Sequence, residues 1–180
     1  MSKGLLLVDL QNDYFPGGRM ELNNADAALD CAVEVLDRFR KAGKPVFHVQ
    51  HVFHSPDAAF FRPGTPGADI HPRIAPSVGE SLFVKHAPSA FSCTGLTATL
   101  RKEGVTELVV CGMMTHMCID TTVRAALDHE LPVTLVPDAC ATRDLVFRGE
   151  VIPAEVVQKA YLAALDGWFA TLVPARDVEP

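Results

Sequence analysis

Gly4-Leu5-Leu6-Leu7-Val8-Asp9 is an unbroken apolar run that ends on a carboxylate. A strand with one face in water would alternate apolar and polar residues. A continuous run instead reads as a strand buried on both faces, as in a parallel sheet covered by helices. Asp9 then falls at the C-terminal end of that strand, where open parallel sheets gather their ligands.

Working outward from that strand, the chain alternates helical and extended patterns. Residues 25–41 read as a helix with Leu29, Val33, Leu36 and Phe39 at helical spacing, Asn24 as its cap and Gly43 as its stop. Strands are expected over residues 46–52, 82–85, 107–111 and 133–137, and helices over 94–103, 115–130 and 154–170. Gly104 ends the second helix, and Val156, Ala160, Ala164 and Trp168 line one side of the last. Such alternation implies right-handed crossovers. The expected fold class is α/β: a three-layer α/β/α arrangement around a mostly parallel sheet of about six strands, in a single domain spanning residues 1–180. Residues 53–80 break the rhythm, and a long connection of this kind suits a lid, a pocket wall or a subunit contact.

Bulk composition excludes several function classes. With 180 residues, 48% hydrophobic and 21% charged, the chain can bury a sizeable core. A net charge of -6 with scattered Lys and Arg argues against nucleic-acid binding, which needs clustered cations. No membrane partner is expected, and the run from Leu5 to Val8 is too short for a signal-peptide core, so a cytoplasmic location is expected. The five cysteines, Cys31, Cys93, Cys111, Cys118 and Cys140, show no paired metal spacing and are read as reduced thiols.

Asp9, Lys85 and the segment from Gly112 to Cys118 all stand at predicted strand ends. A carboxylate there can accept the thiol proton while an ammonium stabilises the thiolate. Cys118 also lies in the first turn of a predicted helix, where unpaired N–H groups and the macrodipole favour an anionic sulfur. The other four cysteines are read as small packing residues.

Three blocks then carry a resemblance: Leu7-Val-Asp-Leu-Gln-Asn-Asp-Tyr-Phe15, Val84-Lys-His-Ala-Pro-Ser-Ala-Phe91 and Gly112-Met-Met-Thr-His-Met-Cys-Ile-Asp120. In this order they resemble the cysteine branch of the isochorismatase-like hydrolases, which includes nicotinamidases, N-carbamoylsarcosine amidases, and ureidoacrylate and biuret-type amidohydrolases. The resemblance implies Asp9 as general base, Lys85 as supporting cation and Cys118 as nucleophile. It also implies a cis peptide between Met113 and Met114, with the Met114 and Cys118 N–H groups as oxyanion donors.

The implied reaction is cleavage of a small amide or ureido compound through a thioester, with no cofactor, by a homodimer or homotetramer. The nicotinamidase branch carries a metal on an Asp-x-His pair and a later His. Here the matching stretch is Gln50-His-Val-Phe53, which places His51 and Phe53 where those ligands would be. No metal site is therefore expected, and nicotinamidase activity is disfavoured. His51, His54 and His71 are read first as core or solvent-facing residues, with His51 also a pocket wall. Phe15, His51, Phe53, Phe91 and His116 are the substrate-binding candidates, with Phe60 and Phe61 behind them and Arg62 as a partner for a substrate carboxylate. The alternatives are a vinyl-ether hydrolase of the isochorismatase type, which uses no cysteine, and a non-catalytic binding domain.

Overall fold

The computed structural model describes residues 2–92 and 94–180, so the packing role expected for Cys93 lies outside the described residues. Its strands are β1 (Lys3–Val8), β2 (Val46–His51), β3 (Ser81–Lys85), β4 (Glu107–Met113), β5 (Val133–Ala141), β6 (Leu145–Phe147), β7 (Glu150–Ile152) and β8 (Thr171–Leu172). The α-helices are α1 (Ala25–Lys41), α2 (Leu96–Lys102), α3 (Asp120–Asp128) and α4 (Ala154–Leu165).

Six strands form one sheet in the order β3-β2-β1-β4-β5-β8, and every pairing in it is parallel. β1 lies inside the sheet, between β2 and β4, which is why Leu5, Leu6 and Val8 are all fully buried. One apolar layer joins Leu5, Leu7 and Val109 to Leu29, Leu36 and Phe39 of α1. The opposite layer joins Leu6, Val8 and Val110 to Leu100 of α2, Val123 of α3 and Leu165 of α4. The α/β fold, the three layers and the six-stranded parallel sheet are as expected.

Several local expectations are corrected. Asn24 does not cap α1 through its side chain; it is left-handed (φ 59°), and its carbonyl accepts the Ala28 N–H at 3.0 Å. The helix expected over 154–170 stops at Leu165, because Asp166 is extended and Gly167 turns left-handed (φ 79°). Its inner face is Ala154, Val157 and Leu165, while Val156 is 48% and Trp168 87% exposed. A helix this rich in alanine and aliphatic residues has no sharp apolar stripe, so periodicity alone chose the wrong side. The β6–β7 hairpin and the two-residue β8 are additions, too short to carry a strand pattern of their own.

Candidate active site

Lys85 is the last residue of β3 and pairs in register with His51, the last residue of β2. Paired residues on parallel neighbours share a face, so both side chains point toward the layer that contains Cys118. Asp9 follows β1 directly, and strict alternation would send it to the opposite face from Val8. Its left-handed backbone (φ 53°), a region that Asp tolerates better than most residues, departs from that alternation and turns the carboxylate to the same point.

Cys118 arrives from β4. Gly112 (φ 135°) crosses β1 so closely that a Cβ there would overlap the Val8 carbonyl oxygen, so only glycine fits. The Met113–Met114 peptide is cis, as expected. Thr115–Ile119 then forms one wide turn, in which the Ile119 N–H reaches the Met114 carbonyl at 3.2 Å, before α3 begins at Asp120. The expected helix over 115–130 is thus a π-type turn followed by α3, with Cys118 just ahead of the α-helical segment.

The Lys85 Nζ is the centre of the resulting cluster. It lies 2.8 Å from Asp9 Oδ2, 2.9 Å from His51 Nδ1, 3.0 Å from the Ala87 carbonyl and 3.1 Å from Cys118 Sγ. All four side chains are buried, with Cys118 only 4% exposed. Burial alone would lower the Lys85 pKa, but Asp9 and the Cys118 sulfur outweigh it and hold the ammonium above its ordinary value. Burial raises the Asp9 carboxyl, against the opposing pull of Lys85 and a hydrogen bond with Cys118. Burial and then the Asp9 charge push the Cys118 thiol well above its usual range, with Lys85 pulling it back. The resting cluster is therefore carboxylate, ammonium and neutral thiol, with no net charge to bury.

Asp9, His51 and Cys118 place one potential ligand atom each within 4.8 Å of one another, the one such group among the described residues. Lys85 Nζ already contacts all three atoms, so a cation held there would meet a fixed positive charge. This donor set does not fit a metal. His54 stacks on His86 with ring centroids 4.0 Å apart, and His71 accepts the Arg73 N–H at 3.3 Å.

The pocket candidates divide. His51 belongs to the cluster, and Phe53 packs on its ring at 4.6 Å. His116 sits in the Cys118 turn and contacts Thr142 Oγ1 at 2.5 Å through Nδ1, with burial lowering its pKa. Phe15 is buried against His71 at 4.5 Å. The Phe91 ring packs against the apolar layer that contains Cys118 and meets His129, just past the far end of α3, at 4.5 Å. Arg62 donates from Nε to the Ala58 carbonyl within its own segment at 2.6 Å.

Residues 53–80 form a wall docked on the site. Asp13 Oδ2 accepts the Phe61 N–H at 2.6 Å, and the fully buried Phe61 ring lies 4.6 Å from Tyr14 and 6.2 Å from His51. Gln11, Asp13 and Tyr14 stand inside the first motif block, yet sequence reasoning assigned them no role. Their one signal was polarity directly after a strand buried on both faces. Burial, the largest cause, raises the Tyr14 phenol well above its ordinary value and keeps it neutral, and the nearby Asp9 carboxylate acts in the same direction. A cavity of about 520 Å³ is lined by Asn24, Cys140, Thr142, Asp144 and Gln158 rather than by Cys118.

The strand ends of a parallel α/β sheet thus bring together a buried carboxylate, an ammonium and a thiol. The chain belongs to the isochorismatase family, whose domain model matches residues 3–162. It is 49% identical over 172 residues to the isochorismatase family protein YddQ of Bacillus subtilis, covering 96% of each chain. It is 30% identical over 169 residues to nicotinamidase 3 of Arabidopsis thaliana, covering 87% of this chain and 80% of that one. The crystal structure of N-carbamoylsarcosine amidase from Thermoplasma acidophilum superposes with a TM-score of 0.83 at 27% identity, covering all of both chains. The protein is thus an isochorismatase-family hydrolase, in agreement with the resemblance carried by the three motif blocks.

Proposed function

We propose that this hydrolase cleaves a C–N bond in a small amide or ureido compound, with Cys118 as nucleophile and a thioester intermediate. The observation that carries the reading is a single ammonium that is ion-paired with the carboxylate, 2.8 Å from Asp9 Oδ2, and hydrogen-bonded to the thiol, 3.1 Å from Cys118 Sγ. Proton transfer from sulfur to Asp9 leaves the net charge of the buried cluster unchanged, which avoids the desolvation cost of creating a lone thiolate. The raised Asp9 makes a stronger base for that step.

The thiolate attacks the carbonyl carbon, and the N–H groups of Met114 and Cys118 receive the developing oxyanion; such donors are worth roughly 100-fold or more in rate. Protonated Asp9 gives its proton to the departing nitrogen as the C–N bond breaks. The same carboxylate then takes a proton from water, which attacks the thioester and releases the acid and Cys118. Phe53, His51 and His116 are the assigned pocket walls. The amidase relatives support a C–N bond over a vinyl ether, and a thiol set against a base favours catalysis over simple ligand holding.

Within this reading the chain is a homodimer or homotetramer, and the exposed Val146, Phe147 and Val151 of the β6–β7 hairpin are assigned to the contact. Sedimentation velocity tests that part. An ammonia-release screen over primary amides, ureido compounds and carbamoyl amino acids tests the reaction. Turnover of one class, lost in Cys118→Ala, is the expected result; vinyl-ether cleavage that survives Cys118→Ala would overturn it.

A further inference from the structure

The sulfur that has to meet a substrate is closed off: Cys118 is 4% exposed, and Asp9, Lys85 and His51 around it are buried as well. Three aromatic rings lie over the His51 side. Phe53 packs on His51 with centroids 4.6 Å apart, and Phe60 meets Phe53 edge-on at 5.2 Å. Phe60 and Phe61 stand 5.9 and 4.6 Å from Tyr14. All three rings belong to the long connection between β2 and β3.

That connection has two halves, held in different ways. Residues 66–71 are tied to the body of the protein. Gln11 and Gln50 both donate from Nε2 to the Ala68 carbonyl, at 2.6 and 2.8 Å, and Asn12 Nδ2 donates to the Pro66 carbonyl at 2.8 Å. The His71 N–H reaches the Leu10 carbonyl, also at 2.8 Å. Residues 54–60 have no such anchors. Among the described residues, their hydrogen bonds stay within 55–62: the Ala58 and Asp57 N–H groups bond Ser55, and Arg62 Nε bonds the Ala58 carbonyl. Side-chain stacking holds this loop down, through Phe60 on its aromatic neighbours and His54 on His86.

The base of the loop is fixed. The Phe53 N–H bonds the Phe61 carbonyl at 3.1 Å, and Asp13 Oδ2 accepts the Phe61 N–H at 2.6 Å. Phe61 is left-handed (φ 50°), an unfavourable conformation for an aromatic residue that persists only where its surroundings dictate it. Those surroundings are the Asp13 carboxylate and complete burial of the ring. Asp13 is itself set against the anchored half, since a Cβ on Gly67 would overlap its carboxylate. A firm base beneath a loop held only by stacking is the layout of a hinge, in which one segment moves and the rest of the fold stays in place.

We propose that residues 54–60 are a gate to Cys118, which opens by lifting the Phe60 ring away from Phe53 and Tyr14 while the Phe53–Phe61 base stays closed. The proposal rests on the cysteine-hydrolase reading above for the identity of the atom it guards. Opening breaks ring contacts but no hydrogen bond to the rest of the chain. It gives a small molecule a route to the sulfur without unfolding the sheet that aligns Asp9, Lys85 and Cys118.

The test follows iodoacetamide labelling of Cys118, read by peptide mass, in wild type, Phe60→Ala and Phe60→Tyr. Removing the ring takes away the apolar contacts that close the gate, so Phe60→Ala should label roughly tenfold faster. Phe60→Tyr keeps the ring and should label as wild type does. Cys111, fully buried in β4, reports global unfolding and should stay unlabelled throughout. An unchanged Cys118 rate in Phe60→Ala overturns the proposal. So does a parallel rise at Cys111, which would mean that the sulfur is reached by unfolding. Hydrogen exchange on the unmodified protein gives a second readout that needs no variant: amides of 54–60 should exchange at least about 100-fold faster than those of Ala68 and His71, and equal protection overturns the gate. Neither measurement needs a substrate, so a failed amide screen strikes the proposed reaction and leaves the gate standing.

Discussion

Lys85→Met removes the only side-chain cation in contact with Asp9 among the described residues. Both side chains of the pair are 0% exposed and the contact is 2.8 Å. Deleting one partner of such a buried pair typically destabilises a protein by about 3–5 kcal/mol, because the other charge stays buried without compensation. Asp9 escapes by taking a proton. Its folded pKa already lies above the unfolded value of 3.8, and losing Lys85, which lowers it, sends it higher still. A carboxyl raised on folding stabilises fully below the unfolded pKa and loses that contribution as pH rises toward the folded pKa. The deficit of Lys85→Met against wild type should therefore widen from pH 5 to pH 8, by up to about 1.4 kcal/mol per unit. Adding Asp9→Asn, which tolerates the left-handed backbone, should recover roughly 2 kcal/mol at pH 8 and flatten the dependence. Urea unfolding at the two pH values measures all of this. Equal stability of wild type and Lys85→Met at pH 8, or a double variant no more stable than the single one, would refute the buried-pair reasoning.

Cys118→Ala should abolish turnover while shifting stability by no more than about 1–2 kcal/mol, since a buried thiol behaves as a small apolar group; a thermal melt and the ammonia assay check both. Gly112→Ala should lose roughly 3 kcal/mol or more, because the new methyl overlaps the Val8 backbone at a positive φ; soluble expression with unchanged stability would contradict the close crossing. Burial alone would raise Glu80, but bonds from Arg40, the Ser77 N–H and His48 hold its pKa near 2, against 4.5 unfolded. A depressed carboxyl stabilises above the unfolded pKa and loses that as pH falls, so Glu80→Gln should cost about 2–3 kcal/mol at pH 7 and flatten acid unfolding between pH 4.5 and 2 in a pH-jump titration. Excess chelator should leave turnover unchanged, and loss of activity restored by added zinc would reverse the judgement that the cluster does not fit a metal.

The sheet was legible in the sequence because strands buried on both faces need uninterrupted apolar runs, and residues 4–8 and 108–111 have them. The chemical types at the site were legible too, since Asp9, Lys85 and Cys118 each close or follow such a run within a recognisable block. The inner face of α4 was not, because its alanines and valines surround the helix, and only packing against the rest of the fold selects Val157 over Val156. Nor could order along the chain show that His51 and Lys85 lie side by side. That follows from the register of β2 on β3, a pairing between residues 34 positions apart. Local patterns of polarity dictate which segments become strands and helices. Only the packed sheet sets one ammonium within about 3 Å of a carboxylate, an imidazole, a backbone carbonyl and a thiol, because such contacts join residues far apart in sequence.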